Sequence, residues 1–146
     1  MILYLMKDLI KLLHEGGHSL VVGNGEVRTF EGRGVSDLLR LLEQEPDALR
    51  GASIADKVVG KGAAALMAVA GVKEVYADVI SSPALRLLED EGVALSFGQV
   101  VDNIQNRTGT GPCPVESRCL PCSTPEECLA EIRAFINGMK NDKAEQ

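Results

Sequence analysis

Four groups of residues have types and spacings that allow chemistry. The cysteines, Cys113, Cys119, Cys122 and Cys128, all fall in one short segment with the pattern Cys-x5-Cys-x2-Cys-x5-Cys. Structural zinc favours two close Cys pairs, and only one such pair is present. Metal ligation by Cys113, Cys119, Cys122 and Cys128, a redox or disulfide pair such as Cys119–Cys122, and ordinary free thiols all fit this spacing. Cys113-Pro114-Val115-Glu116 pairs a nucleophilic thiol with Glu116, a carboxyl that can act as acid or base. A catalytic cysteine usually has a histidine partner, and nothing in the sequence brings His14 or His18 to Cys113. Gly60-Lys61-Gly62 opens a helical pattern, with Asp56 and Lys57 just before it. Free N–H groups, glycines and lysine ammoniums at a helix start suit an anion. The bland alternative is close helix–sheet packing by the glycines, solvated lysines and Asp56 as a helix cap. The fourth group is Asn106-Arg107, in a glycine-rich loop beyond the last expected strand. Arg107 can hold a phosphate or carboxylate bidentately, or serve a structural salt bridge.

The elements that must position these groups follow from periodicity. Leu5, Leu9, Leu12 and Leu13 recur at helical spacing over residues 4–15, and Gly16-Gly17 ends the run. Residues 18–22 and 26–30 read as strands joined through Gly23-Asn24-Gly25, a hairpin. Ser36 caps a second helix that buries Val35, Leu38, Leu39 and Leu42, and residues 46–53 read as loop. From Ala63 to Ala70 every residue is apolar and most are small, the mark of a buried helix. It spans 59–70, and Gly71 stops it. Residues 72–80 form a strand, Ser82 and Pro83 open a helix ending at Gly92, and residues 93–97 form a further strand. Alternating helix and strand here implies parallel pairing. Residues 98–123 carry little regular pattern and include a Cys-rich loop (106–123). Thr124-Pro125-Glu126-Glu127 is a capping box for a last helix over 124–137. Residues 139–146 read as a flexible tail, and 1–138 as one domain without repeats or linkers.

Composition removes several function classes. Net charge is −6, from 15 basic and 21 acidic residues, which argues against an extended nucleic-acid partner. Aromatic content of 3% leaves few platforms for base stacking. No apolar run is long enough for a membrane span, and the N-terminus lacks the layout of a signal peptide. The expectation is a cytoplasmic protein, and in a reducing compartment the clustering of the cysteines suggests metal or thiol chemistry more than disulfides.

The order hairpin, helix, buried helix, strand, helix, strand resembles the cytidine deaminase-like fold. It is closer still to a family of uncharacterised bacterial proteins assigned to that fold. The residues that carry the resemblance are Asp56-Lys57-Val58-Val59-Gly60-Lys61-Gly62-Ala63-Ala64, Val72-Lys73-Glu74-Val75-Tyr76-Ala77, Ile80-Ser81, and Asn106-Arg107-Thr108-Gly109-Thr110-Gly111 running into Cys113-Pro114-Val115-Glu116. The resemblance implies a three-layer α/β fold: a mixed sheet with an N-terminal antiparallel hairpin and parallel helix–strand units. Active deaminases of this fold carry a zinc ligand and a proton-shuttling glutamate at the start of the central helix. Gly60, Lys61 and Gly62 stand there instead. Two further ligands come from a Pro-Cys-x-x-Cys at the start of the next helix, where this chain reads Ser81-Ser82-Pro83-Ala84-Leu85-Arg86-Leu87. Neither site supplies zinc ligands, so no catalytic zinc and no deaminase activity are expected.

Three readings follow. The first is a zinc-less domain binding a small anionic or nucleotide-like ligand through Asp56, Lys57, Gly60, Lys61, Gly62, Ser81, Ser82, Asn106 and Arg107. The second is an enzyme of unknown reaction using Cys113 and Glu116. The third is a structural scaffold, assembled as a homo-oligomer. A pocket bounded by residues 56–62, 81–83 and 106–113 would favour the first.

Overall fold

A computed structural model of the chain describes residues 6–32, 35–105 and 109–145. The chain begins with α1 (Met6–Glu15), followed by the hairpin β1 (Leu20–Asn24) and β2 (Glu26–Phe30). Then come α2 (Ser36–Gln44), the short α3 (Pro46–Leu49), β3 (Ser53–Val59) and α4 (Lys61–Ala70). The rest is β4 (Glu74–Ser81), α5 (Ser82–Asp90), β5 (Ala94–Val101), α6 (Pro114–Cys119) and α7 (Pro125–Glu145). One five-stranded mixed sheet runs in the order β2-β1-β3-β4-β5. The hairpin is antiparallel, with Leu20 opposite Phe30, and β1 also pairs antiparallel with β3, Leu20 opposite Asp56. β3, β4 and β5 are parallel, with Ile54 beside Val75 and Val75 beside Leu95.

The centre of the sheet departs from expectation. Residues 53–59 form the middle strand, not a loop running into a helix, so Asp56 and Lys57 lie on β3 and cannot cap α4. Ile54, Ala55 and Val59 are fully buried, and hydrogen bonding to strands on both sides outweighs the charged pair Asp56-Lys57 in the middle of the segment. Residues 46–49 are helical, with Pro46 in the first turn. The Asn24 amide donates to the carbonyls of Asp47, Ala48 and Arg50, tying α3 to the hairpin tip. β5 runs to Val101, beyond the expected 97, and α6 lies inside the segment expected to be irregular. α7 continues through Gly138 to Glu145, past the expected stop. A glycine in a helix interior costs only about 1 kcal/mol against alanine, too little to end a helix by itself.

Two cores flank the sheet. Leu9 and Leu13 of α1 pack on Val21 and Ala55 from one side. On the other, α4 is the hub: Ala64, Ala65, Leu66 and Met67 are fully buried against Ile54, Val59, Ile80 and residues of α2, α5, α6 and α7. Its small side chains let several elements approach one helix at once. Gly71 ends it in the left-handed conformation (φ 79°), donating to Ala68 O at 3.2 Å, while Val72 N–H reaches Met67 O at 3.1 Å. α5 is capped one residue earlier than expected: Ser81 Oγ accepts the Ala84 N–H at 3.2 Å. At α7 the capping box forms, Thr124 Oγ1 accepting from Glu127 N at 3.1 Å, though Glu127 Oε2 accepts from Ser123 N rather than from Thr124. Among the described residues no helix is long and apolar enough to cross a membrane.

Candidate functional site

A cavity of about 580 Å³ opens beyond the carboxyl end of β3. β3 contributes Asp56, Lys57 and Val58, and the start of α4 contributes Gly62 and Ala63. Ile104 and Gln105 close one side, and Cys113 to Glu116 form another. Ser19 and Leu20 of the hairpin and Gly32, Val35 and Asp37 near α2 complete the wall. Of the boundary expected from sequence, Asp56, Lys57, Val58, Gly60, Gly62 and Cys113 are at the wall, whereas Val59, Lys61, residues 81–83 and residues 109–112 are not. The hairpin and α2 residues were missed, because only the antiparallel pairing of β1 with β3 brings them beside Asp56. Asn106 and Arg107 lie outside the described residues.

The start of α4 is already occupied by an internal anion. Glu116, 2% exposed, places its carboxylate against the first turn. Its Oε2 accepts the Lys61 N–H at 2.7 Å and the Ser81 hydroxyl at 2.5 Å, and its Oε1 accepts the Ile104 N–H at 2.6 Å. One side chain thus joins the N-termini of α4 and α5 and the loop after β5. A carboxylate is well suited to helix N-termini, where unpaired N–H groups and the helix dipole both favour negative charge. The flanking glycines serve this contact. A Cβ on Gly60 would lie 3.1 Å from Glu116 Oε2, and one on Gly62 only 2.5 Å from Val115 Cγ1. Lys61 turns its ammonium away from the cavity, donating to Leu120 O at 3.0 Å and Cys122 O at 2.9 Å beyond the end of α6. Ser82 Oγ donates to Val101 O at 3.4 Å.

Cys113 and Glu116 both line the cavity, and the Glu116 carboxylate is held by three donors. Neither histidine lines the cavity: His18 Nδ1 bonds Glu31, and His14 Nε2 meets Asp78 Oδ1 at 2.6 Å. The same Asp78 oxygen accepts the Tyr76 hydroxyl at 2.7 Å, and that bond pushes the phenol up to about 12. This His14–Asp78–Tyr76 cluster had no signal in the sequence, since it joins α1 to β4 over a long separation. Asp56 is the cavity's perturbed acid. Burial raises its carboxyl from 3.8 to about 7, opposed by the N–H groups of Val58 and Lys57, with the Asp78 charge adding to the rise.

The four cysteines divide. Cys113 faces the large cavity, whereas Cys119 and Cys128 are buried beside one another and Cys122 is half-buried near them. The four-cysteine metal set is therefore not formed. Among the described residues no group of three or more His, Cys, Asp or Glu side chains is placed to hold a metal ion.

A family model described as TM1506, domain of unknown function (DUF1893), matches residues 8–136. The chain belongs to the DUF1893 family. A solved structure, a DUF1893 family protein (TM1506) from Thermotoga maritima, superposes with a TM-score of 0.83. It is 26% identical, and the match covers 90% of this chain and 89% of that one. No curated protein matches the chain. The shared architecture thus extends over nearly the whole DUF1893 domain.

Proposed function

We propose that this DUF1893 domain is a binding module for a small, largely apolar molecule that enters the cavity beside Asp56 and Cys113. The cavity itself is the observation that carries this reading. At about 580 Å³ it has the size of a small-molecule site, and apolar side chains dominate its wall. A few polar groups, Asp56, Lys57, Ser19 and the Cys113 thiol, converge on it and can orient a ligand. The small anionic or nucleotide-like occupant expected from sequence has less support. Among the described lining residues the carboxyls of Asp37, Asp56 and Glu116 face one ammonium, that of Lys57. The α4 start is taken by Glu116, and Lys61 points elsewhere. These features favour a neutral or cationic ligand with a donor for Asp56.

The reading of the fold as cytidine deaminase-like belongs to this proposal. It is supported by the approach of the α4 and α5 N-termini, the two places where such deaminases carry zinc ligands. Here Glu116 bridges them through Lys61 N–H and Ser81 Oγ. A domain so arranged binds without zinc-dependent deamination.

The test is a thermal-shift screen of neutral, cationic and anionic fragments, followed by the alkylation rate of Cys113 in a Cys119→Ser/Cys122→Ser/Cys128→Ser background. A ligand that binds only the folded state raises the midpoint. Cavity ligands are expected to protect Cys113 and to bind more weakly to Asp56→Ala. Hits that leave Cys113 fully reactive, or a screen dominated by anions, would remove the proposal. Ammonia release from cytidine by a clean preparation would remove the zinc-less reading.

A further inference from the structure

The three cysteines away from the large cavity meet at the junction of α6 and α7. Cys128 Sγ lies 3.9 Å from Cys119 O, and Cys119 Sγ lies 4.0 Å from Cys128 O. The same Cys119 carbonyl accepts the Cys122 N–H at 3.0 Å, so the Cys128 sulfur sits against the turn that carries Cys122. The Cys122 thiol donates to Arg118 O at 3.7 Å, on the same turn. Cys119 and Cys128 have no exposed surface, whereas Cys122 is half-buried. Cys122 also lines a second cavity, of about 350 Å³, whose wall includes Lys61, Arg86, Asp90 and Glu91. Three thiols are thus graded from accessible to buried, and the accessible one opens into a pocket bearing both signs of charge.

We infer that Cys122 and Cys128 form an exchangeable dithiol whose substrates are small zwitterionic disulfides, of the oxidised-glutathione class, docked in this second cavity. The ammonium of Lys61 and the guanidinium of exposed Arg86 suit the substrate's carboxylates, and Asp90 and Glu91 suit its amines. In the first step the Cys122 sulfur attacks one sulfur of the bound disulfide. A protein–substrate disulfide forms, the substrate S–S bond breaks, and the departing thiolate takes the Cys122 proton. In the second, the Cys128 sulfur attacks Cys122, the mixed disulfide breaks, and the second small thiol leaves with the Cys128 proton. The protein dithiol is oxidised by two electrons and one small disulfide is reduced to two thiols.

The surroundings set the pace. Burial pushes the Cys122 thiol up, with Cys128 and Glu131 adding to the rise, and the Lys61 ammonium pulls it down. Cys119 is lowered, chiefly by the hydrogen bond from Cys128, and Cys128 is raised by the same bond. A thiol raised in this way is less ionised than a free one, which makes docking of the disulfide beside it matter.

The experiment uses the full chain, reduced and then incubated with oxidised glutathione, and reads intact mass and mapped peptides. The parent is expected to lose two hydrogens without retaining glutathione, with a crosslink between Cys122 and Cys128. Cys128→Ser is expected to accumulate glutathione on Cys122, and Cys122→Ser, at the half-exposed position, to show neither product. Arg86→Ala is expected to slow the reaction with oxidised glutathione severalfold while leaving that with uncharged hydroxyethyl disulfide unchanged. Four free thiols in the treated parent, a crosslink that excludes Cys122, or glutathione confined to Cys113 would overturn the dithiol. Equal slowing of both disulfides by Arg86→Ala would overturn the docking cavity. None of these outcomes depends on ligand binding beside Asp56.

Discussion

Removing the Glu116 carboxylate tests the link between the two helix starts directly. Glu116→Ala leaves the N–H groups of Lys61 and Ile104 and the Ser81 hydroxyl without their acceptor. The hydroxyl can rotate, but the two N–H groups are fixed by the backbone. An unsatisfied buried donor costs ~1–3 kcal/mol, so the pair costs roughly 2–6 kcal/mol unless water enters. At roughly 4 °C per kcal/mol for a domain of this size, the midpoint falls by about 8–24 °C. Glu116→Gln separates hydrogen bonding from volume. Its amide oxygen can serve Lys61 N–H and Ser81 together, but its amide nitrogen then faces the Ile104 N–H, donor against donor. An intermediate loss of roughly 1–3 kcal/mol is expected. Urea unfolding gives the magnitudes, and amide exchange gives their location, since Lys61 and Ile104 should lose protection first. A Glu116→Ala protein within about 0.5 kcal/mol of the parent, the scale of an inert surface change, would refute the reasoning. So would a glutamine variant less stable than the alanine one.

Three further outcomes follow from the same region. Gly62→Ala drives a methyl to 2.5 Å from Val115 Cγ1, so α6 must shift, and a loss of ~1–3 kcal/mol is expected by urea unfolding. Lys61→Met removes two charge-assisted bonds, an exposed one to Leu120 O and a part-buried one to Cys122 O, and stability should fall by roughly 1.5–3 kcal/mol in all because solvent screens the exposed bond. Asp56 binds its proton more tightly when folded, from 3.8 up to about 7, so its contribution is present below pH 4 and lost as pH rises through 7. Asp56→Asn should match the parent near pH 4 and exceed it near pH 8 by roughly 2 kcal/mol, after allowance for solvent at the cavity mouth. Unfolding curves across that range check the sign.

How much was legible depended on whether a signal was local. The α4 run Ala63–Ala70, its Gly71 stop, the hairpin and the capping box at Thr124 are local features, and each has its counterpart in the structure. β3 was not legible. Asp56-Lys57 interrupts its apolar run, and its neighbour β1 comes from more than thirty residues earlier. That omission left Asp56 readable as a helix cap as well as a ligand residue, although it lies on a strand. The same distance hid Ser19, Leu20 and Asp37 from the site. Glu116 was visible as a carboxyl near Cys113, but its role came from Lys61, Ser81 and Ile104, which only tertiary packing assembles.

Gly60-Lys61-Gly62 shows why a short glycine–lysine motif underdetermines chemistry. Its physical properties are those assumed for an anion site: a helix start, a free N–H and little steric bulk. The structure answers them from within the chain. A carboxylate delivered by α6 takes the N–H, the missing side chains at Gly60 and Gly62 make room for α6, and the Lys61 ammonium satisfies two carbonyls at the far end of that same helix. α6 is thus held at its beginning by its own Glu116, bound to the first turn of α4, and at its end by Lys61 from α4. An external anion at this helix start would have to displace Glu116 and desolvate beside it, whereas a neutral or cationic ligand in the adjoining cavity meets Asp56, which accepts from Val58 N–H at 3.4 Å, without disturbing either clamp. The competition can be observed. Phosphate should bind Glu116→Gln no better than the parent if the clamp is purely structural. A gain of tenfold or more, about 1.4 kcal/mol, would mean that Glu116 is a tethered competitor for an anion site.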